Sequence, residues 1–275
     1  MMTSRRFSTL LLICALAVAG GALVSLGTLH AAGAEGASSR LDPLLDHTTA
    51  VVGESLVQLS DVECKESVSQ TKLGKNGKVE YEENSLFDYV VLFQSSSGEP
   101  IMVESRLSKE GPRHSRNVPL LITNGFSTLL LIFHPYYAGD YQFVDLGEEP
   151  LDGRACVKVH FQHIKGLRST TALMLRGREY PLDLQGTAFI DKASGTIVRI
   201  NASLESPMED VGLRSLQTEV QYAPVKFQGA SRAYWLPVSA VIDVESVHQH
   251  WRNLHRFTAY HRFETSVKEN IGSVP

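Results

Sequence analysis

The sequence contains one pair of residues with metal-ligand spacing, in the stretch HQHW near its C-terminal end. His248 and His250 would point to the same side of an extended strand, and such a pair can chelate zinc. The pair lies where one predicted strand turns into the next, and no neighbouring residue stands out as a third ligand. A polar hairpin tip is therefore favoured over a metal site, and we predict neither a bound metal nor another cofactor.

Residue patterns for nucleophilic catalysis are equally weak. Ser127 in GFS is not part of a G-x-S-x-G turn, because Leu129 stands where the second glycine would be. Cys64 and Cys156 fall within predicted strands, where few basic neighbours could lower a thiol pKa. We assign no catalytic residue and predict that the chain is not an enzyme. A hydrolase that uses the histidine-rich C-terminal hairpin is kept as the third functional alternative.

The same two cysteines are the only ones outside the N-terminal apolar segment. In an oxidising compartment Cys64 and Cys156 could form one disulfide that closes a long loop. Two separate buried thiols are the alternative. Both stay open at this point, because a sequence does not show whether two Cα atoms lie within bridging distance.

The N-terminal segment, residues 1–34, has the pattern of a secretory signal peptide. A pair of arginines precedes an apolar run, no further charge occurs before Glu35, and the segment ends in the small residues AGA. The apolar run is long for a signal peptide, but cleavage after Ala34 is favoured over an uncleaved anchor. The remainder, residues 35–275, is predicted to be exported to the periplasm and to work close to a membrane.

The net charge bears on which partners the chain can bind, and its length bears on the number of domains. The predicted leader holds two of the 26 basic residues and none of the 30 acids, which leaves 24 against 30 and a net charge of −6 for the rest. Such a balance, without a basic patch, argues against nucleic acid as a partner. No repeat or glycine-rich linker divides the 275 residues, so residues 35–275 are predicted to form a single domain.

Periodicity predicts one helix followed by many strands. LDPLLDHTTAVVGESLVQL has apolar residues at helical spacing, with a start at Asp42-Pro43 and an end near Gln58. Asn76-Gly77 marks a tight hairpin turn between two strands. The predicted strands are VECKESVSQTKL, KVEYEENSLFDYVVLF, EPIMVESRL, YQFVDLGEE, RACVKVHFQHI, LQGTAFIDK, TIVRINASLES, LRSLQTEVQYAPVKF, YWLPVSAVIDVESV and RNLHRFTAYHRFETSV. KEGPRHSRNVP, which is polar and contains glycine and proline, is predicted to be a loop.

Alternation within the strands indicates the kind of sheet. In TIVRINASLES, Ile197, Arg199 and Asn201 are predicted on one side and Val198 and Ile200 on the other. A sheet with one dry and one wet face is typical of antiparallel pairing. In contrast, GFSTLLLIFHPYYAGDY has five apolar residues in a row, too few to cross a bilayer. It predicts a short buried helix over residues 127–134 that ends at the proline.

Several stretches together resemble the half-barrel of bacterial lipoprotein carriers and outer-membrane lipoprotein-sorting proteins, and more closely uncharacterised exported proteins of soil bacteria. They are DVECKESV, ESR at 104–106, GFSTLLLIFHP, GTAFIDKASGTIVRI, YWLP and FTAYHRFET. The resemblance implies an α+β fold, a strongly curved antiparallel sheet with helices on its concave face. It also implies an apolar cavity for acyl chains with the helices as its lid, here residues 129–133 beside the 44–56 helix.

The leading functional hypothesis is therefore non-enzymatic. An exported cell-envelope protein would bind a hydrophobic small molecule or lipid, such as a lipoprotein acyl chain, beneath the short helix, and could contact other envelope proteins. The alternative is a structural or protein-interaction module whose cavity is filled by its own helix. The predicted ligand-binding residues are Leu129, Leu130, Ile132, Phe133, Tyr136, Phe189, Trp235 and Phe257.

Overall fold

The computed structural model describes residues 31–59, 62–96, 99–108, 128–175, 178–228 and 233–262. One α-helix, three short 3₁₀ helices and twelve strands make up these residues. The helix is α1 (Ala31–Leu59), and the 3₁₀ helices are Thr128–Phe133, Ala138–Asp140 and Glu209–Val211. The strands are β1 (Val62–Leu73), β2 (Val79–Ser96), β3 (Glu99–Ser108), β4 (Tyr141–Glu148), β5 (Cys156–His163), β6 (Ala172–Leu175), β7 (Arg178–Pro181), β8 (Leu184–Asp191), β9 (Ile197–Leu204), β10 (Leu213–Val225), β11 (Tyr234–Ser246) and β12 (His250–Arg262).

Ten strands form a single sheet in the order β3-β2-β1-β12-β11-β10-β9-β8-β5-β4, and every neighbouring pair is antiparallel. Strands β6 and β7 form a separate two-stranded hairpin. The sheet is curved, with α1 against its concave side, where the helix contacts β2, β11 and β4. The predicted fold class, a curved antiparallel half-barrel with helices on the concave face, is confirmed.

The strand and turn predictions follow the observed elements closely. β1 spans the predicted VECKESVSQTKL, and its residues alternate between buried and more exposed positions, as a sheet with one covered face requires. The predicted turn at Asn76-Gly77 is present, with Gly77 at φ 68° and its amide donating to the Gly74 carbonyl. The hairpin β6–β7 was not predicted. The predicted loop KEGPRHSRNVP lies outside the described residues.

Helix α1 begins earlier than the sequence suggests. It starts at Ala31 and not at Asp42-Pro43, so Pro43 lies inside the helix, where it lacks the amide that would bond to the carbonyl four residues earlier. The prediction failed because proline was taken as a start signal. The four residues before the predicted cleavage site, 31–34, belong to α1, and residues 1–30 lie outside the described part. The leader and the single-domain division stay predictions. No helix among the described residues is long and apolar enough to cross a membrane.

One stripe of α1 is buried against the sheet. Leu41, Thr48, Val52 and Leu56 are at most 6% exposed, and their spacings of seven, four and four residues place them along one side of the helix. We call the sheet face that α1 covers the inner face and the opposite one the outer face. The main core lies on the inner face, where β5, β8, β9 and β11 place alternate apolar residues. Gly186 is required there, because a Cβ would overlap the carbonyl oxygen of Asn201.

A second, small cluster packs on the outer face. It consists of Cys156, Phe189 and Val198, with Leu151 and Trp235 against them. The prediction placed Val198 on the same side as Ile200, but Val198 faces outward, whereas Ile197 faces inward and joins Ile200 in the main core. The predicted alternation fails at Ile197 and Val198 because the β8–β9 register shifts between Phe189 and Ile190.

The cysteines do not form a disulfide in this structure. Cys64 and Cys156 are both buried and both free. Cys64 belongs to the main core on β1, and Cys156 belongs to the outer cluster on β5. Because these strands are six positions apart in the sheet and the side chains lie on opposite faces, the Cα atoms are far beyond bridging distance. Of the two alternatives that the sequence left open, the structure therefore has two separate buried thiols and not the disulfide.

Candidate ligand site on the inner face

The predicted short apolar helix is present as the 3₁₀ helix Thr128–Phe133, which we call the plug. The exposed fractions of Leu129, Leu130, Leu131, Ile132 and Phe133 are 3, 4, 3, 0 and 1%. All five belong to the main core. A six-residue 3₁₀ helix would normally leave one side in contact with water, so these values mean that the plug is surrounded by protein. Ser127, the predicted first residue, lies outside the described residues.

The plug packs between α1 and the β4–β5 side of the sheet. The Phe133 ring lies 5.2 Å from that of Phe143 and 6.1 Å from that of Phe161, in tilted and edge-on arrangements. Helix α1 passes directly beside the end of the plug, where a Cβ on Gly53 would lie 4.0 Å from Pro135 Cδ. The plug thus fills the space between the helix and the inner face.

Apolar side chains, and not backbone hydrogen bonds, attach the plug to the sheet. Within the described residues, the backbone bonds of the segment 128–135 are local, such as the one from His134 N to the Leu131 carbonyl at 3.0 Å. The first backbone bond to a neighbouring element comes later, from Ile164 N to the Asp140 carbonyl. An element attached in this way can be displaced without breaking a strand pairing.

The residues after the plug are fixed by polar contacts on both sides. Tyr137 Oη donates to Glu99 Oε1 on β3 at 3.2 Å. Burial, followed by the charge and hydrogen bond of Glu99, raises the pKa of Tyr137 to about 12. On the other side, Arg168 donates to the Tyr136 carbonyl at 3.1 Å, forms an ion pair with Asp140 at 3.0 Å and lies 4.2 Å above the Tyr136 ring. This segment therefore joins the β3 edge of the sheet to the loop beyond β5.

The structure brings most, but not all, of the predicted ligand-binding residues together. Leu129, Leu130, Ile132 and Phe133 lie in the plug, and half-buried Tyr136 follows them and packs against the main core. Phe257 is also in the main core, on β12, with its ring 5.2 Å from that of Tyr89.

Phe189 and Trp235 are placed differently. Phe189 lies in the outer cluster, with Lys158 Nζ 5.2 Å and the Arg199 guanidinium 5.8 Å from its ring centre. Trp235 is half-buried, contacts both clusters and has the Arg154 guanidinium 4.7 Å from its ring. The structure does not bring Phe189 to the plug, because its neighbours Ala188 and Ile190 occupy the inward positions of β8. Ligand binding by the remaining residues stays a prediction.

Sequence reasoning did not identify the buried ion cluster of Glu66, Arg106 and His255 on the inner face. Arg106 on β3 donates to both carboxylate oxygens of Glu66 on β1, at 2.5 and 2.8 Å. His255 Nδ1 on β12 lies 2.8 Å from Glu66 Oε1. The Arg106 guanidinium lies 5.2 Å from the centre of the Tyr89 ring. Arg106 reaches across β2 to β1, since β2 lies between β3 and β1 in the sheet.

The Glu66 carboxylate is fully buried, yet its environment favours the charged form. Burial alone would raise its pKa, but hydrogen bonds from His255 and Arg106 outweigh burial and hold the pKa below its ordinary value. Burial would likewise lower the pKa of Arg106, and the Glu66 carboxylate reverses the effect. One signal was present in the sequence: Glu66 falls in phase with the buried positions of Val62, Cys64 and Val68 on β1.

A bulge in β12 adds a polar contact near this cluster. Ala259 has φ 51°, and the β1–β12 register shifts beside it, between Glu63 and Lys65. Tyr260 donates to the Pro237 carbonyl at 2.5 Å and is hydrogen-bonded with the Cys64 thiol. Burial is the main reason that the pKa of Cys64 rises to about 12 and that the pKa of Tyr260 rises well above its ordinary value. Such a thiol is a poor nucleophile at neutral pH.

The C-terminal histidine pair lies at a hairpin, as predicted. His248 is exposed in the turn between β11 and β12, and His250 Nε2 lies 2.7 Å from Asp243 Oδ1. Arg252 donates to the other oxygen of the same carboxylate at 2.9 Å. Within the described ranges, no group of three or more His, Cys, Asp or Glu side chains could hold a metal ion.

Solved structures with a similar architecture exist. A DUF1329 family protein from Desulfovibrio piger has 13% identity and a TM-score of 0.41, over 84% of this chain and 95% of that one. A LolA superfamily protein from Nitrosomonas europaea has 11% identity and a TM-score of 0.34, over 78% and 94%. A domain described as an outer membrane lipoprotein-sorting protein, from Vibrio parahaemolyticus, has 10% identity and a TM-score of 0.36, over 80% and 93%.

These likenesses agree with the resemblance seen in the sequence to lipoprotein-carrier and lipoprotein-sorting proteins. At TM-scores below 0.5 they concern general architecture and do not bear on function. No protein-family model and no curated protein matches the sequence.

Proposed function

We propose that this chain is an exported cell-envelope protein that binds a hydrophobic ligand, a lipid or a lipoprotein acyl chain, on the inner face of its sheet. The plug occupies the binding space when the ligand is absent. The observation that supports this proposal is the plug itself: five consecutive large apolar side chains, each at most 4% exposed, on an element whose described backbone bonds are local. The role is binding, without catalysis.

Energetics allow an acyl chain to replace the plug. Burying a Leu, Ile or Phe side chain contributes about 1.5–3 kcal/mol, so the five side chains contribute about 8–15 kcal/mol. An acyl chain with about 14 methylenes contributes about 11 kcal/mol when it is buried, at about 0.8 kcal/mol per methylene. Because the two amounts are comparable, exchange of plug for ligand is close to balanced. A binding protein that must both load and release its ligand requires such a balance.

The polar contacts of the residues that follow the plug indicate how the plug would move. Tyr137 and Arg168 fix the residues that follow it, so displacement would begin at Thr128 and pivot near Pro135. No strand pairing has to break in that movement, and the sheet keeps its curvature. The predicted signal peptide would deliver the chain to the periplasm, where lipids and lipoproteins are the available hydrophobic ligands.

Native mass spectrometry tests the proposal. The chain is exported in a bacterial host, purified from the periplasm without detergent and measured before and after incubation with phospholipid vesicles. We expect added mass that extracts into organic solvent. Leu130→Asp should increase it, because a carboxylate cannot enter the apolar space and the plug then no longer competes with the ligand. The matched control is Leu146→Asp on the outer side of β4, where the side chain is 53% exposed. This control should leave the added mass unchanged.

The second candidate function predicts a different result. The same burial of 0–4% is what a self-filled core would show, and a structural or interaction module would then need no ligand. A clean mass with no uptake of phospholipid, together with loss of folding in Leu130→Asp, would establish that alternative and contradict ligand binding.

A further inference from the structure

Helix α1 carries a buried hydroxyl that has no hydrogen-bond partner within the described residues. Thr48 is 0% exposed, and its Oγ1 contacts neither a donor nor an acceptor there. The residue lies on the buried stripe of α1, between Leu41 on one side and Val52 and Leu56 on the other. Its side chain therefore lies between α1 and the apolar residues of the inner face.

A hydroxyl within a helix normally bonds to the carbonyl four residues earlier. Ser55, about two turns further along α1, does so: its Oγ donates to the Val51 carbonyl at 2.7 Å. Thr48 does not use this option. Buried polar groups in native proteins nearly always have a partner, so an unpartnered one points to a group that is not part of the chain.

We propose that Thr48 Oγ1 donates a hydrogen bond to the acyl carbonyl of the ligand, so that the ligand is a fatty-acyl ester. This inference rests on the proposed function. A ligand group can reach Thr48 only by entering the apolar region beneath α1, and a group attached to a hydrocarbon chain can do so. A carbonyl oxygen satisfies the hydroxyl without burying a charge, whereas a charged head group would be costly to bury. An alkyl ether or a plain hydrocarbon would leave the hydroxyl without a strong acceptor.

The test compares two lipids that differ in a single carbonyl. The probes are palmitoyl lysophosphatidylcholine and its hexadecyl ether analogue, which have the same head group and chain length. Binding is measured for the wild-type protein, Thr48→Val, Thr48→Ser and Ser55→Ala. The wild type should bind the ester about five- to tenfold more tightly than the ether, the usual worth of one hydrogen bond. Thr48→Val should lose this preference, and Thr48→Ser and Ser55→Ala should keep it.

Two results would overturn the inference while leaving the proposed function in place. Equal binding of ester and ether by the wild type is one, and an unchanged preference in Thr48→Val is the other. Failure of the wild type to bind either lipid would overturn both proposals together.

Thermal unfolding without lipid provides an independent check. Replacing an unpartnered buried hydroxyl by the isosteric methyl of valine should raise the melting temperature of the free protein. A lower melting temperature would mean that the Thr48 hydroxyl has a partner within the chain, and the inference would be wrong.

Discussion

The substitution Glu66→Gln removes the negative charge at the centre of the buried ion cluster while keeping the shape of the side chain. Glu66 is fully buried and bonded to Arg106 at 2.5 and 2.8 Å and to His255 at 2.8 Å. In the variant, the Arg106 guanidinium stays buried beside a neutral amide. Removing one partner of a buried ion pair costs about 3–5 kcal/mol. The glutamine oxygen keeps one hydrogen bond, so we expect the free energy of unfolding to fall by about 3 kcal/mol at neutral pH.

The loss should depend on pH with a definite sign. Burial would raise the pKa of Glu66, but His255 and Arg106 hold it below the ordinary value of 4.5. A carboxylate with a lowered folded-state pKa stabilises the fold fully above its unfolded-state pKa, and that contribution disappears as the pH falls through the folded-state pKa. The difference between wild type and Glu66→Gln should therefore be largest near neutral pH and shrink below about pH 4.5.

Urea denaturation near neutral pH and at about pH 3.5 measures both effects. The matched control is Glu149→Gln, which removes the same charge from an exposed pair with Lys158 at 3.0 Å. Because Glu149 is 52% exposed there, that substitution should cost about 0–1 kcal/mol at either pH. A loss in Glu66→Gln no larger than in the control, or a loss that is the same at both pH values, would refute the reasoning.

Three further outcomes are expected. Neither Cys64 nor Cys156 should react with Ellman's reagent until the protein unfolds, because both thiols are buried. The raised pKa of Cys64 also lowers its thiolate fraction roughly a thousandfold. Fast labelling of the folded protein, or an intact disulfide, would contradict this prediction. Gly186→Ala should lower the free energy of unfolding by about 3 kcal/mol through overlap with β9, whereas Gly139→Ala, which has open space, should have little effect in the same thermal scan. Tyr137→Phe removes one bond to β3 and should speed amide exchange in the plug about fivefold, measured by mass spectrometry; unchanged exchange would mean that this bond does not hold the plug.

Local patterns were sufficient to predict most of the sheet. The strands of an antiparallel sheet with one covered face alternate visibly, and tight turns such as the one at Gly77 have their own residue preferences. The plug was predictable too, because a run of large apolar residues in an otherwise alternating chain has to be buried. Where alternation is interrupted, the prediction failed: the register shift next to Ile190 reversed the faces of Ile197 and Val198.

The ion cluster could not be predicted, because its members meet only through distant pairing. His255 and Glu66 are 189 residues apart, and nothing local indicates that the last described strand pairs with the first. The wrong prediction for Phe189 had the same cause, because the sheet face on which Phe189 lies depends on the register of β8 against β9. Which strands are neighbours is a property of the whole chain, and a single sequence contains little information on it.

The pairing of β1 with β12 has a consequence for the order of folding. Synthesis proceeds from the N-terminus, so β1, β2 and β3 are complete long before β12 exists, and the contact order of the β1–β12 pair is close to the largest that this chain allows. Until β12 arrives, one edge of β1 presents unpaired backbone groups on a strand of twelve residues. A nascent chain stopped before residue 250 is therefore a template for pairing with other chains.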